Sequence, residues 1–117
     1  MAFSITRVRQ GDIDILCFPP GSELTSVTAM PMITSVLKSV RAPYHVVLDC
    51  AGLAALDSAG LGSIVQLFRR IRELGGKLHI ASVPKGYARN IFVITRLDTV
   101  FTLYEDVEAA VAAYAAP

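Results

Sequence analysis

The feature that most constrains this chain is a short unbroken apolar run, Val46-Val47-Leu48 inside His45–Asp49, followed closely by a long helical stripe. A run this short, with no polar alternation, belongs to a strand covered on both faces. The stripe is Leu61, Ile64, Val65, Phe68 and Ile71, the spacing of one buried helix face. Arg69, Arg70 and Arg72 favour the C-terminal end of that helix, and Gly75-Gly76 terminates it. Ser58 is its expected N-cap, with a side chain placed to accept from the free N–H of Gly60 or Leu61.

The rest of the chain repeats the alternation. Residues 3–8, with Phe3, Ile5 and Val8, have an edge-strand pattern; Gly11 is a turn, and residues 12–18 read as a second strand. Pro19-Pro20-Gly21-Ser22 stops it, because two prolines cannot continue a ladder. Proline is free at the first position of a helix and costs about 3 kcal/mol in its interior. Pro31 therefore places the next helix start near Met30 rather than at a Thr25 or Ser26 cap. Ile33, Val36, Leu37 and Val40 then share its buried face, and Pro43 ends it. Residues 50–57 read as a loop and residues 77–83 as a strand. Pro84 opens a helix to about Arg96 that is expected to bury Tyr87, Ile91 and Ile94. Residues 100–103 form a last short strand, and residues 105–115 a closing helix with Val107, Ala110, Val111 and Tyr114 inward. Strands alternating with helices of this length predict a single α/β domain over residues 1–117. Its sheet is mixed, of about four to five strands, flanked by about four α-helices. A chain of 117 residues suits one such core.

Several functional classes are disfavoured by what the sequence carries. The net charge of +1 gives no electrostatic reason to expect nucleic acid as a direct partner. No stretch approaches the roughly 18–20 uninterrupted apolar residues of a membrane span. Residues 1–10 lack the apolar core of a signal peptide, so the expected location is the cytoplasm, away from the membrane. Cys17 and Cys50 make neither a disulfide framework nor a zinc site, and His45 and His79 lack metal spacing. Gly60-x-Gly62 lies within the helical stripe rather than in a phosphate loop, and Leu56 stands where a nucleophile elbow needs glycine. No cofactor, metal or catalytic residue is expected, and no enzyme activity.

Ser58 remains. A helix N-terminus stabilises phosphate through free N–H groups and the macrodipole, so a hydroxyl placed there can be a phosphate acceptor as well as a cap. Between Asp49 and Arg69 the only charged residue is Asp57. The small apolar stretch Ala51-Gly52-Leu53-Ala54-Ala55-Leu56 is expected to give a docking rim of low charge, with at least one of Leu53 and Leu56 turned inward. A phosphate would add roughly −1.5 to −2 charges beside Asp57.

Four segments together carry a family likeness: Val46-Val47-Leu48-Asp49, Leu56-Asp57-Ser58-Ala59-Gly60-Leu61-Gly62, Gly75-Gly76-Lys77-Leu78 and Arg96-Leu97-Asp98-Thr99-Val100-Phe101. The chain resembles the STAS domain family, and within it the anti-sigma factor antagonists, from about Phe3 to Tyr114. The most specific element is Asp-Ser-x-Gly-Leu-Gly after an apolar strand. The resemblance implies a phospho-switch that regulates transcription by partner switching. An anti-sigma factor serine kinase binds the unphosphorylated form, phosphorylates Ser58 from its own ATP and is released; a serine phosphatase resets the protein. Ser58 is then the acceptor, Asp57 the acid beside it and Gly60 a close-approach glycine, with Ala59, Leu53, Glu23 and Thr25 as further partner-binding residues. Here the stretch Gly21-Ser22-Glu23-Leu24-Thr25 departs from the family's Gly-Glu-Leu-Asp by an extra residue and Thr for Asp, which bears on partner choice. Two other readings stand beside this one. In the first, the chain is a constitutive subunit of a lipid-transport type complex, with Ser58 only a cap. In the second, it is a nucleotide-binding protein or enzyme that uses the same helix end as an anion site.

Overall fold

Gly11, with φ +62, closes the turn between β1 (Thr6–Gln10) and β2 (Ile13–Cys17), which pair antiparallel with Val8 opposite Ile15. Glycine adopts a positive φ without steric cost. The computed structural model describes residues 5–115, without the side chains of Tyr87 and Asp98. Phe3, expected in the first strand, and the expected burial of Tyr87 lie outside the described residues.

Three further strands complete the main sheet: β4 (His45–Asp49), β6 (Lys77–Ala81) and β7 (Leu103–Tyr104). They come in the spatial order β1-β2-β4-β6-β7, and every pairing after the first is parallel. Val46, Val47 and Leu48 of β4 are fully buried. That is the two-sided cover an unbroken apolar run demands. One face of the sheet carries the larger core. Leu16, Val46, Leu48, Leu78 and Ile80 pack there with residues of α1 (Ala29–Ser39), α2 (Ser58–Glu73) and α3 (Tyr87–Ile94). The other face presents Ile13, Ile15, Val47 and Ala81 to the six-residue α4 (Val107–Ala112), which contributes Ala110.

The ends of these elements follow local chemistry. Pro31 lies in the first turn of α1, as its missing N–H requires. At the end of α2 the Gly76 N–H donates to Ile71 O and the Gly75 N–H to Arg72 O, both at 3.0 Å, with Gly75 at φ +86. This double bond pattern satisfies the last carbonyls of the helix. Asp14, fully buried, accepts from Arg7 Nε and Arg9 Nη1, each at 3.1 Å, and from the Arg41 N–H at 3.0 Å. The two arginines also charge the open edge of the sheet, which discourages pairing with another chain.

Several elements differ from expectation; α3 starts at Tyr87 rather than at Pro84, and α4 covers only Val107–Ala112 of the expected 105–115. Residues 21–25 and 50–57 read as loops, yet β3 (Ser22–Leu24) and β5 (Leu53–Leu56) form a separate parallel pair with Leu24 opposite Leu56. Each is too short to show a period, and Ala54-Ala55 has little strand propensity. The last strand is Leu103–Tyr104 rather than residues 100–103, because Leu97–Thr99 forms a 3-10 turn ahead of it. Ile94, expected inside, is 78% exposed, and Phe92 takes the interior position instead. One residue turns a helix by about 100°, enough to carry Ile94 off the buried face while Ile91 still packs against the core.

Candidate functional site

β5 ends at Leu56, Asp57 follows in extended backbone (φ −106, ψ −177), and α2 begins at Ser58. The N-cap is therefore Asp57, not Ser58. Asp57 Oδ1 accepts from the Gly60 N–H at 2.8 Å, and the Asp57 carbonyl accepts from the Leu61 N–H at 2.9 Å. Aspartate and serine cap equally well, and the chain leaves the strand one residue early enough for the aspartate to take the role. This frees Ser58. Its side chain is exposed at the first helical position, and its hydroxyl makes no hydrogen bond among the described residues. Ala59 beside it is exposed as well.

Gly60 is buried, and its close approach is made inside the fold. A Cβ built there would press into the Leu24 carbonyl. The Asp57 N–H donates to that same carbonyl at 3.3 Å, so the end of β3 is clamped against the head of α2. Leu53, expected to offer its side chain to a partner, is 5% exposed and belongs to the core, as Leu56 does. Leu53 and Leu56 are three residues apart; the register shift that leaves Ala54 unpaired against β3 lets both leucines turn inward, with Ala54 exposed between them.

The other titratable groups are committed elsewhere. His45 and His79 both stack on the Tyr114 ring, with centroids 4.8 and 3.8 Å away. His79 Nδ1 lies 2.9 Å from Ala110 O; a carbonyl only accepts, so Nδ1 carries the proton. Burial lowers the His79 pKa from its ordinary 6.5, opposed by the Ala110 bond and aided by Lys77 and His45. Burial, with Asp49 nearby, pushes the Cys50 thiol up, and the half-buried Cys17 is raised by burial, by the Asp49 charge and by a hydrogen bond with that side chain. Among the described residues no group of three or more His, Cys, Asp or Glu is placed to hold a metal ion.

The family model for the STAS domain matches residues 5–110. The chain belongs to the STAS domain family. Solved STAS-type structures share its fold. A candidate anti-sigma factor antagonist from Thermotoga maritima is 21% identical, with 92% of each chain covered and a TM-score of 0.80. The anti-sigma factor antagonist SpoIIAA in its unphosphorylated form is 13% identical over 97% of this chain and 99% of that one, with a TM-score of 0.72. A sulfate transporter family protein from Wolinella succinogenes is 13% identical over 90% of this chain and 86% of that one, with a TM-score of 0.73.

The loop after β3 in this STAS domain holds its residues in unequal ways. Glu23 is exposed, and its carbonyl accepts from Thr28 Oγ1 at 2.7 Å. Thr25 is half-buried, donates its N–H to Thr28 Oγ1 at 2.9 Å and accepts from the Val27 N–H at 3.3 Å, so its hydroxyl serves the local turn. Ser22 likewise donates to Pro19 O at 2.5 Å. Leu24 and Leu56 sit in register, so the chains leading to Val27 and to Ser58 leave the small sheet side by side. Val27 is 80% exposed and Met30 61%. Sequence reasoning missed both residues; the signal was two apolar side chains flanking a helix start and absent from its buried stripe.

Proposed function

We propose that this STAS domain is an anti-sigma factor antagonist. In this reading it is a cytoplasmic phospho-switch that binds an anti-sigma factor serine kinase while Ser58 is unphosphorylated and is released once Ser58 carries phosphate. The observation that carries the reading is the exposed, uncommitted Ser58 hydroxyl at the first position of α2, with Asp57 already doing the capping. Its surroundings add support. No other charged residue occurs between Asp49 and Arg69, and Val27 and Met30 offer apolar contact from the neighbouring loop. SpoIIAA, an anti-sigma factor antagonist described in an unphosphorylated form, shares the fold. Among the described residues no helix is long and apolar enough to cross a membrane.

The transfer itself is the kinase's chemistry. Ser58 Oγ forms a bond to the γ-phosphorus of ATP, the bond to the ADP oxygen breaks, and the hydroxyl proton passes to a base on the kinase. Because Ser58 takes no part in capping, the phosphate removes no hydrogen bond from α2. The helix N-terminus stabilises it by about 0.3–1 kcal/mol, while burying that charge in an apolar interface costs several kcal/mol. A net ~4 kcal/mol weakens the complex on the order of a thousandfold. The fold stays, the interface goes, and the anti-sigma factor, freed from this protein, takes up its sigma factor or other client again. A serine phosphatase resets the cycle. Exposed Ala59 and Glu23, with half-buried Asp57 and Thr25, border the surface that the kinase covers.

A constitutive subunit of a transporter complex is the second reading, favoured by the shared fold of the Wolinella succinogenes protein. Mass spectrometry after incubation with ATP and a cognate anti-sigma kinase separates the two. One phosphate on wild type and none on Ser58→Ala supports the switch. No phosphate, with the kinase active on its own substrate, supports the constitutive subunit.

A further inference from the structure

β7 pairs only with Ile80 and Ala81, so the first three residues of β6 have no strand on that side among the described residues. A cavity of about 340 Å³ fills the gap between α2, β6 and residues 100–104. Its walls divide by chemistry. Phe68, Leu78, Val100 and Phe101 form the apolar part, with the Phe68 and Phe101 rings packed edge to face at 4.9 Å. Arg72 stands one helical turn beyond Phe68, Lys77 follows directly on the Gly75-Gly76 turn, and both cations line the cavity. Both are exposed, neither forms an ion pair among the described residues, and none of the described lining residues is acidic.

The backbone adds a donor. The Lys77 N–H bonds toward β4, to Tyr44 O, and the Ser82 N–H bonds toward β7, to Tyr104 O, both at 3.0 Å. Backbone groups of a strand alternate in direction, so the Leu78 N–H points with Ser82 toward the open edge, where no strand residue stands opposite. Two unpaired cations, an edge N–H and an apolar recess specify an anion with an apolar tail. The volume is at the small end of ligand pockets, about 300–1,000 Å³, which suits a short chain rather than a nucleotide.

We propose that this cavity binds a small aliphatic monocarboxylate of about six to ten carbons. The carboxylate is held by Arg72, Lys77 and the Leu78 N–H, and the chain lies on Phe68, Val100 and Phe101. Charge-assisted bonds of this kind are short and about twice as strong as neutral ones. Ser58 lies at the other end of α2, about 20 Å away at 1.5 Å per residue, so the site stands whether or not Ser58 accepts phosphate.

The test is an amide-resolved NMR titration of the full-length 15N-labelled chain with octanoate, with octyltrimethylammonium as the cationic control. Arg72→Ala/Lys77→Ala serves as the variant, and its melting is compared with wild type. The expected result is saturable octanoate shifts at Leu78, His79, Phe101 and Thr102, weakened at least about tenfold in the variant and not reproduced by the cationic amphiphile. The proposal is overturned by an absence of saturable shifts, by equal response to both amphiphiles, by unchanged affinity in a folded variant, or by shifts centred on Val27 and Met30 or on Val93 and Ile94.

Discussion

At the head of α2 Asp57 Oδ1 accepts from the Gly60 N–H, and at the head of α4 Asp106 Oδ1 accepts from the Ala109 N–H, both at 2.8 Å. The two caps are the same in chemistry and geometry. The residue that follows the cap is an exposed serine in α2 and a half-buried valine, packed toward the sheet, in α4. The first turn of α4 carries Glu108 and is preceded by Glu105, whereas the first turn of α2 has no acid and its cap is the only charge between residues 50 and 68. A capped helix end by itself therefore says nothing about function. What sets α2 apart is a hydroxyl that the cap has left free, on a segment whose only charge between residues 50 and 68 is the cap itself.

Adding charge at each head gives the largest contrast. Ser58→Asp is expected to weaken binding to a cognate anti-sigma kinase about a hundredfold, less than a phosphate because it adds one charge. Ala109→Asp, an exposed change in the first turn of α4, is expected to leave that affinity unchanged; calorimetric titration of both variants reads the difference. Gly60→Ala comes next, since its Cβ meets the Leu24 carbonyl carbon and oxygen rather than a flexible side chain. A loss of about 2–3 kcal/mol in urea unfolding is expected. An unaltered stability there would mean that β3 is not clamped to α2.

Removing the caps separates the heads by less. Asp57→Ala is expected to cost about 1–2 kcal/mol, and Asp106→Ala about 0.5 kcal/mol, because α4 is six residues long and its cap is exposed. Chemical denaturation of the two variants ranks them, and the reverse order would contradict the assignment. The smallest effect is one of pH and belongs to the α4 side. His79 has a lowered pKa in the fold, so the unfolded chain binds its proton first. Its contribution to stability is complete above the ordinary value of 6.5 and is lost as pH falls through the lowered value. Melting temperature should decline from pH 7.5 to pH 5.5 in wild type and less so in His79→Gln, while Ser58→Ala should follow wild type throughout.

Much of this was legible in the sequence because it rests on long or unambiguous patterns. The run within β4, the five-residue stripe of α2 and the glycine pair after it each allow one reading. The two-stranded pair β3-β5 was not legible. Strands of three and four residues show no period, and their pairing depends on Gly52 and Gly60 letting backbones meet. The identity of the cap was not legible either, because Asp57 and Ser58 are both good caps and only the backbone's exit from β5 decides between them. That one-residue shift matters most, since it leaves the Ser58 hydroxyl free. The motif Asp57-Ser58-x-Gly60 was visible in the sequence, but the division of labour within it was not.

On the proposed function, phosphate on Ser58 breaks an interface and leaves the fold alone. The most direct measurement is the affinity of the unphosphorylated and Ser58-phosphorylated proteins for a cognate anti-sigma kinase, alongside their melting temperatures. A loss on the order of a thousandfold in affinity, with melting temperatures within about 2 °C, is the predicted result. Affinities within about threefold of each other, or a phosphorylated form that melts well below the other, would contradict it.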